Sequence, residues 1–268
     1  MKHPTSRPRP SESRYSIEAL ARGLEILELF SAERPTLSLT EIVQALQLNN
    51  STVFRVLSTL ESRNYLERDP ATRRYRPSLK VLQLGFTALN SLEVSQVARP
   101  HLERLAHQVH EAASLGVLDG MNVIYVDRIR NRAIVGVVIE IGSHVPAHCT
   151  ALGKTLLAAL APDELDKRLS RADLAAHTSR TITDREALLN DVALARQRGY
   201  AISDEELAVG LRAVAAPIRD ASQEAVAAIN VSGSVTTMSR ERLKTEIAPA
   251  VMKTAEQISL ALGYSPAE

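Results

Sequence analysis

Three groups of residues carry side chains whose types and spacing could do chemistry. His144, His148 and Cys149 offer two imidazoles and a thiol, ligand types that suit zinc. They share one expected loop, however, and no fourth partner stands at a metal-binding spacing. Ala151-Leu152-Gly153-Lys154-Thr155 contains the Gly-Lys-Thr of a phosphate-binding loop, but the loop's first glycine belongs five residues before Gly153, where His148 stands. Asp204, Glu205 and Glu206 are adjacent, so their carboxylates point in different directions rather than forming an acid–base pair. Cys149 has no recognisable activating base and orienter, as a nucleophile requires. The expectation is a chain that is not an enzyme and holds no metal and no cofactor.

A different kind of chemistry is written in residues 49–66, NNSTVFRVLSTLESRNYL. At ~100° per residue Val53, Val56, Leu57 and Leu60 form one apolar stripe, while Ser51, Arg55, Ser58 and Ser62 fall almost opposite. Such a helix has one face for a core and one short, polar, singly charged face for a partner. The elements that must position it can be read on both sides. Residues 16–30 place Ile17, Leu20, Ala21, Leu24 and Leu27 on one helical face. In LSLTEIVQALQL, Ser38 or Thr40 caps a second helix whose Ile42, Val43, Ala45 and Leu46 face inward. Asn49 or Asn50 caps the third. Two short extended pieces around Asp69-Pro70-Ala71-Thr72 then read as a hairpin rich in arginine. Helix, tight turn, helix and basic hairpin make a winged helix-turn-helix, whose second helix enters the major groove with its N-terminal end. The candidate DNA contacts are Asn50, Ser51, Thr52, Arg55, Ser58 and Thr59 on the helix, with Arg73, Arg74 and Arg76 on the wing. A small helical domain with a solvated arginine cluster has the same pattern.

The bulk numbers agree with two jobs. Residues 1–80 hold 13 Lys/Arg against 9 Asp/Glu, and the remainder 19 against 22, a basic front and a mildly acidic back. Residues 1–13 read as a disordered basic tail without the apolar stretch of a secretion signal. No apolar run approaches the ~18 residues of a membrane span, and a single cysteine excludes an internal disulfide. These point to the cytoplasm. Past the front end, Pro77 to Ser91 spaces Leu79, Leu82, Phe86 and Leu89 as a linker helix whose apolar side could pack on a second subunit or on its own chain. Pro100 suits the first turn of a helix to about Glu111. Strands are expected at 113–118, 123–129, 134–141, 213–218 and 225–231, and helices at 152–160, 184–198 and 240–262, a mixed α+β sheet domain.

The run from LARGLEILELF to VLQLG resembles the winged helix-turn-helix of the IclR family of bacterial transcriptional regulators. HCTALGKTLLAAL, GYAISDEELAVGLRAVAAPIRD and AAINVSGSV resemble that family's C-terminal signatures in order, so the likeness covers about residues 14–263. It implies a winged helix-turn-helix at 14–77, a linker helix at 78–98 and a GAF-like effector-binding domain at 99–263. It further implies a homodimer or homotetramer on a double-stranded operator, responding to a small organic acid. The family's effector pocket, carried across, falls on Ala151, Leu152, Ser203, Leu211, Ala213, Asn230 and Ser232. Members sensing small 2-oxo acids tend to have an acidic residue, a cysteine and a serine where this chain has Ser203, Ala213 and Asn230. Asn230-Val231-Ser232 and Cys149-Thr150 look more like the branch controlling protocatechuate and 4-hydroxybenzoate catabolism. An aromatic or dicarboxylic acid effector is therefore expected, with Arg128, Arg130, Arg132 and Arg212 as candidate cations. Leu152, Leu211 and Ala213 would serve equally as ordinary core. The alternative to a ligand-responsive regulator is an enzyme or small-molecule-binding module whose basic front end binds a protein or membrane partner.

Overall fold

The computed structural model describes residues 17–31, 34–90, 93–130 and 139–265; the expected tail at 1–13 lies outside them. The chain divides into two compact units between Ala88 and Leu89.

In the first unit, α1 (Glu18–Glu28), α2 (Leu39–Leu46) and α3 (Asn50–Ser62) precede a hairpin of β1 (Leu66–Arg68) and β2 (Tyr75–Pro77), and α4 (Leu79–Asn90) follows. Its core is Ile26, Leu37, Ile42, Val53, Leu57, Leu66 and Tyr75. Ser38 starts α2 with a reciprocal capping box: its hydroxyl accepts from Glu41 N, and the Glu41 carboxylate accepts from Ser38 N at 2.6 Å. Gln47, with φ 54°, ends α2 in a left-handed turn. α1 buries Gly23 and Ile26. Of the stripe Ile17, Leu20, Ala21, Leu24 and Leu27, three residues are exposed, Ile17 at 68%, Leu20 at 60% and Leu24 at 52%, and Ala21 and Leu27 are half-buried. Leu20 and Leu24 border an open groove of about 610 Å³ that Val56, Leu60 and Tyr65 also line.

The second unit is a six-stranded antiparallel sheet in the order β5-β4-β3-β8-β7-β6. Its strands are β3 (Ala112–Asp119), β4 (Asn122–Ile129), β5 (His144–Pro146), β6 (Ala201–Asp204), β7 (Leu211–Arg219) and β8 (Ala225–Ser234). Gly120, at φ +58°, makes the two-residue turn between β3 and β4. One face is covered by α5 (Glu93–Val109) and α10 (Ala248–Ala261), the latter reached through α9 (Arg240–Arg242) and a π-helical stretch, Leu243–Ile247. The other face carries α6 (Ala151–Ala159), α7 (Pro162–Leu169) and α8 (Arg185–Arg198). No helix among the described residues is long and apolar enough to cross a membrane.

Two expectations shift. Pro100 lies inside α5 rather than at its start; the helix begins seven residues earlier, and its Val94 and Ala98 are buried, so tertiary burial outweighs the lost backbone donor. The third strand of the sheet is His144–Pro146. Of the expected 134–141 segment, 134–138 lie outside the described residues, and 139–141 carry no strand pairing.

The start of α6 is the tightest join of the second unit. Thr150 caps it by accepting from Gly153 N at 3.1 Å and donates to Pro146 O at 3.2 Å. A Cβ on Gly153 would stand 2.2 Å from both Cα and O of Ala147, backbone atoms that cannot turn aside. Gly153→Ala should therefore lower the stability of this unit by about 3 kcal/mol, the upper range for overpacking. That is roughly 6–12 °C in the melting temperature of a unit this size, to be read by differential scanning calorimetry; an unchanged melt would refute the close contact.

Candidate functional site

In the first unit the polar face of α3 is built from its cap. Asn49 Oδ1 accepts from Thr52 N and from Ser51 Oγ, both at 2.8 Å, so Asn49 is the N-cap and Asn50 the first helical residue. Val53 and Leu57 are buried, while Ser51, Arg55 and Ser62 are exposed. The Arg55 guanidinium makes no hydrogen bond or ion pair among the described residues. The Thr59 hydroxyl donates to Arg55 O and that of Ser62 to Thr59 O, both at 2.9 Å, so these hydroxyls are spent on their own helix. Phe54 stands 50% exposed on the flank of the polar face. The apolar stripe gave no signal for it, because it lies off the stripe. A protruding ring beside a free guanidinium suits base edges, where aromatic and methyl groups contact the thymine methyl.

The wing arginines have distinct surroundings. Asp69 Oδ1 accepts from Ala71 N and Thr72 N, closing the hairpin turn, and Arg73 is exposed there at φ 58°. Arg76 pairs with Glu67 through Nε at 3.1 Å and Nη2 at 2.9 Å. Arg74 is turned into the unit: Nε donates to Thr36 Oγ1 at 3.0 Å, and Nη2 to Thr36 O at 2.9 Å and to the Glu41 carboxylate. It ties the wing to the capping box of α2. Hydrogen bonds from Ser38, backbone then hydroxyl, and from Arg74 pull the Glu41 carboxyl down to about 2.

In the second unit the sequence-predicted pocket residues gather on one face of the sheet. Ile229 and Val231 belong to the core beneath α5 and α10, so the alternating Asn230 and Ser232 look to the α6 side. Ala213 and Ala215 on β7 pack there with Ala151 and Leu152 of α6. Ser203 on β6 donates to Cys149 O at 2.9 Å, and Ala213 pairs with both Ser203 and Ser232. Leu211, two residues before Ala213, shares that side and is 8% exposed. The first intrahelical bond of α6 runs from Lys154 N to Thr150 O; the Ala151 and Leu152 amides precede it and point outward as donors.

Three features of this face were not read from spacing. Lys154, 1% exposed, has its ammonium 2.7 Å from Glu206 Oε1 and 2.7 Å from Asp191 Oδ2, joining α6 to α8 and to the loop after β6. Burial pushes the Glu206 carboxyl up against the pull of Lys154. Second, His177, almost thirty residues downstream, brings a ligand atom within 4.8 Å of those of His148 and Cys149; His144 is not in the group. His148 Nε2 lies 3.0 Å from Ala175 O. Burial, then the Glu206 charge, pushes the Cys149 thiol up to about 12, so at neutral pH it is the protonated, weakly ligating form. Third, a row of polar groups crosses β4, β3 and β8. Arg128 faces Ser114 and Ser114 faces Asn230. Arg128 Nη1 donates to Ser114 Oγ at 3.0 Å, while Asn230 Oδ1 is buried without a hydrogen-bond partner. Of the other candidate cations, Arg130 pairs with Glu140 and Arg212 with Asp204, and Arg132 lies outside the described residues.

Comparison with known proteins gives one pattern. Residues 19–70 match the IclR helix-turn-helix domain and residues 86–260 the bacterial transcriptional regulator IclR C-terminal domain. The Pca regulon regulatory protein of Pseudomonas putida is 35% identical over 241 residues, 90% of this chain and 82% of that protein. A crystal structure of a transcriptional regulator from Rhodococcus sp. RHA1 superposes with a TM-score of 0.80 at 38% identity, covering 92% of this chain and 98% of that one. An IclR homologue from Microbacterium hydrocarbonoxydans, solved in complex with 4-hydroxybenzoate, superposes at 0.79 with 26% identity, covering 91% and 98%.

The depressed Glu41 carboxyl fixes a pH dependence. A group held below its ordinary 4.5 contributes stability that is full above 4.5 and is lost as pH falls towards about 2. Protection of the Leu37 and Tyr75 amides, which bond to each other's carbonyls, should fall across that window in hydrogen-exchange mass spectrometry. In Glu41→Gln it should be lower at neutral pH and flat across the window. A wild-type profile already flat between pH 4.5 and 2 would contradict the capping-box assignment.

Proposed function

The chain belongs to the IclR family of bacterial transcriptional regulators, and from that premise we propose that it governs a catabolic operon under control of an aromatic or related carboxylic acid. As a member it is a DNA-binding transcriptional regulator with a small-molecule effector domain, and its relatives are regulators rather than enzymes. The finer assignment draws support from the P. putida relative, named for the pca regulon, and from the neighbour that holds 4-hydroxybenzoate.

Residues 14–77 bind the operator, 78–98 link, and 99–263 hold the effector. The observation that carries the DNA-reading assignment is Arg55, exposed in the N-terminal half of a capped helix and left without an internal partner. It reads a guanine edge or a phosphate. Ser51, Thr52 and Asn50 let the backbone approach, Ser58 and Thr59 line the same approach, and Phe54 adds an apolar contact. Arg73 and Arg76 reach phosphates beside the wing, while Arg74 sets the wing's position from within. The effector lies against Ala151, Leu152, Ser203, Leu211, Ala213, Asn230 and Ser232, with the α6 amides as anion donors. Exposed Leu20 and Leu24 on α1 and Leu79 and Leu82 on α4 favour a homo-oligomer that covers them. The effector shifts DNA affinity only through its different affinity for the DNA-competent and DNA-incompetent arrangements.

The test is fluorescence anisotropy with duplex DNA flanking the gene. Wild-type affinity should fall steeply with salt, log–log slope about −0.9 for each phosphate neutralised. Arg55→Ala should lose about tenfold to a hundredfold, the range of one bidentate base contact, without moving the melting temperature. A complex that ignores both salt and Arg55 would sink the reading.

A further inference from the structure

Among the candidate cations of the second unit, Arg128 is the one the described residues leave without a carboxylate. Arg99 pairs with Asp127, Arg130 with Glu140 and Arg212 with Asp204, whereas no acidic group of the described residues lies within ion-pair reach of Arg128. A local irregularity puts it there. The register of β3 against β4 slips between Leu115 and Gly116, which pair with Asp127 and Tyr125 and leave Val126 as the extra residue. Asp127 therefore turns towards Arg99 of α5, and Arg128 crosses to the α6 face, where its guanidinium reaches Ser114 at 3.0 Å. Burial pushes Arg128 below its ordinary value, the direction for a cation desolvated without compensation.

The groups beside it are short of partners in a complementary way. Ser114 is fully buried; its oxygen accepts from Arg128, which leaves its own hydrogen free to donate. Asn230 is 3% exposed, and its Oδ1 accepts nothing. Two donors with a positive charge, followed one strand later by an orphaned acceptor, ask for an anion that also carries a hydrogen-bond donor.

We infer that Arg128 and Ser114 hold the carboxylate of the effector and that Asn230 accepts from a hydroxyl on the same molecule, so that the ligand class is a hydroxy acid. This rests on the effector-site reading above and adds Arg128 and Ser114 to it as ligand-binding residues.

Calorimetric titration of the full chain tests it with 4-hydroxybenzoate against benzoate, malate against succinate, and 4-hydroxybenzamide as the hydroxyl without the acid. In wild type at least one hydroxy acid binds, about tenfold more tightly than its partner lacking the hydroxyl. Arg128→Gln weakens both acids of that pair by about a hundredfold and leaves the amide probe unaffected. Asn230→Leu abolishes the preference for the hydroxyl, so the two acids bind alike. Should Arg128→Gln fail to fold, Arg128→Lys keeps the charge without the fork and gives the same ranking with a smaller loss. Ser232→Phe, which puts a bulky ring two residues from Asn230 on the same face of β8, separates the two levels. If it blocks every probe while Arg128→Gln titrates as wild type, the effector site stands and this assignment falls. If Ser232→Phe also titrates as wild type, the site itself is misplaced. No binding of any probe to wild type, or a hydroxyl preference that survives in Asn230→Leu, overturns the inference.

Discussion

A lysine ammonium with 1% of its surface exposed, held between two carboxylates at 2.7 Å, is the constraint on which the sensing face depends. Burying it alone would cost several kcal/mol, and removing both acids would leave an uncompensated charge in a low-dielectric interior. Lys154 sits on the fourth residue of α6, Asp191 on α8 and Glu206 just after β6. One interaction therefore fixes the helix whose first amides open the proposed effector site, the helix beside it, and the edge strand that supplies Ser203. The Glu206 carboxyl is pushed up by burial, and its Oε2 has no hydrogen-bond partner among the described residues. A triad whose charges do not cancel is satisfied only in a narrow geometry, which suits a place where α6 must be held in register with the sheet.

Each unit holds arginines of two kinds, and the difference carries functional information. Arg74 gives its donors to Thr36 and Glu41 and so acts as a strut. The Arg55 guanidinium, equally charged, finds no partner among the described residues. In the sheet domain Arg99 and Arg212 neutralise acids, while Arg128 does not. An unpaired cation on an exposed helix costs little, because water solvates it. An unpaired cation partly withdrawn from water is costly, and a bound anion would supply the missing compensation at Arg128.

What was legible in the sequence follows from which forces are local. Caps and turns are local, so Ser38, Asn49 and the Gly120 turn could be anticipated to within a residue. Helical periodicity is local too, but it says only that a stripe exists. On α1 the stripe of Ile17, Leu20 and Leu24 is exposed, because Gly23 and Ile26 are the residues that meet the core. Pro100 reads as a helix start since its nitrogen has no proton, yet the burial of Val94 and Ala98 carries the helix through it. β6 is four residues long and too short to show alternation. The site residues on β7 and β8 came from the family likeness rather than from pattern, since Leu211 and Ala213 look like any core.

The parts that stayed hidden are those where a single irregularity moves a side chain across a sheet. Strict alternation would put residues 126 and 128 of β4 on one face. The extra residue at Val126 instead leaves Val126 in the core under α5, points Asp127 at Arg99, and places Arg128 beside Ser114 on the face of Tyr125. Tyr125, 2% exposed and pushed up to about 12 by burial, is held there as a neutral phenol. A slip of one residue thus separates an acid from the base next to it in sequence: Asp127 is neutralised within the fold, and Arg128 is left facing Ser114 and Asn230. Had the strand run without the bulge, the two would have exchanged faces, and the sensing side would present a carboxylate where an acidic effector needs a cation.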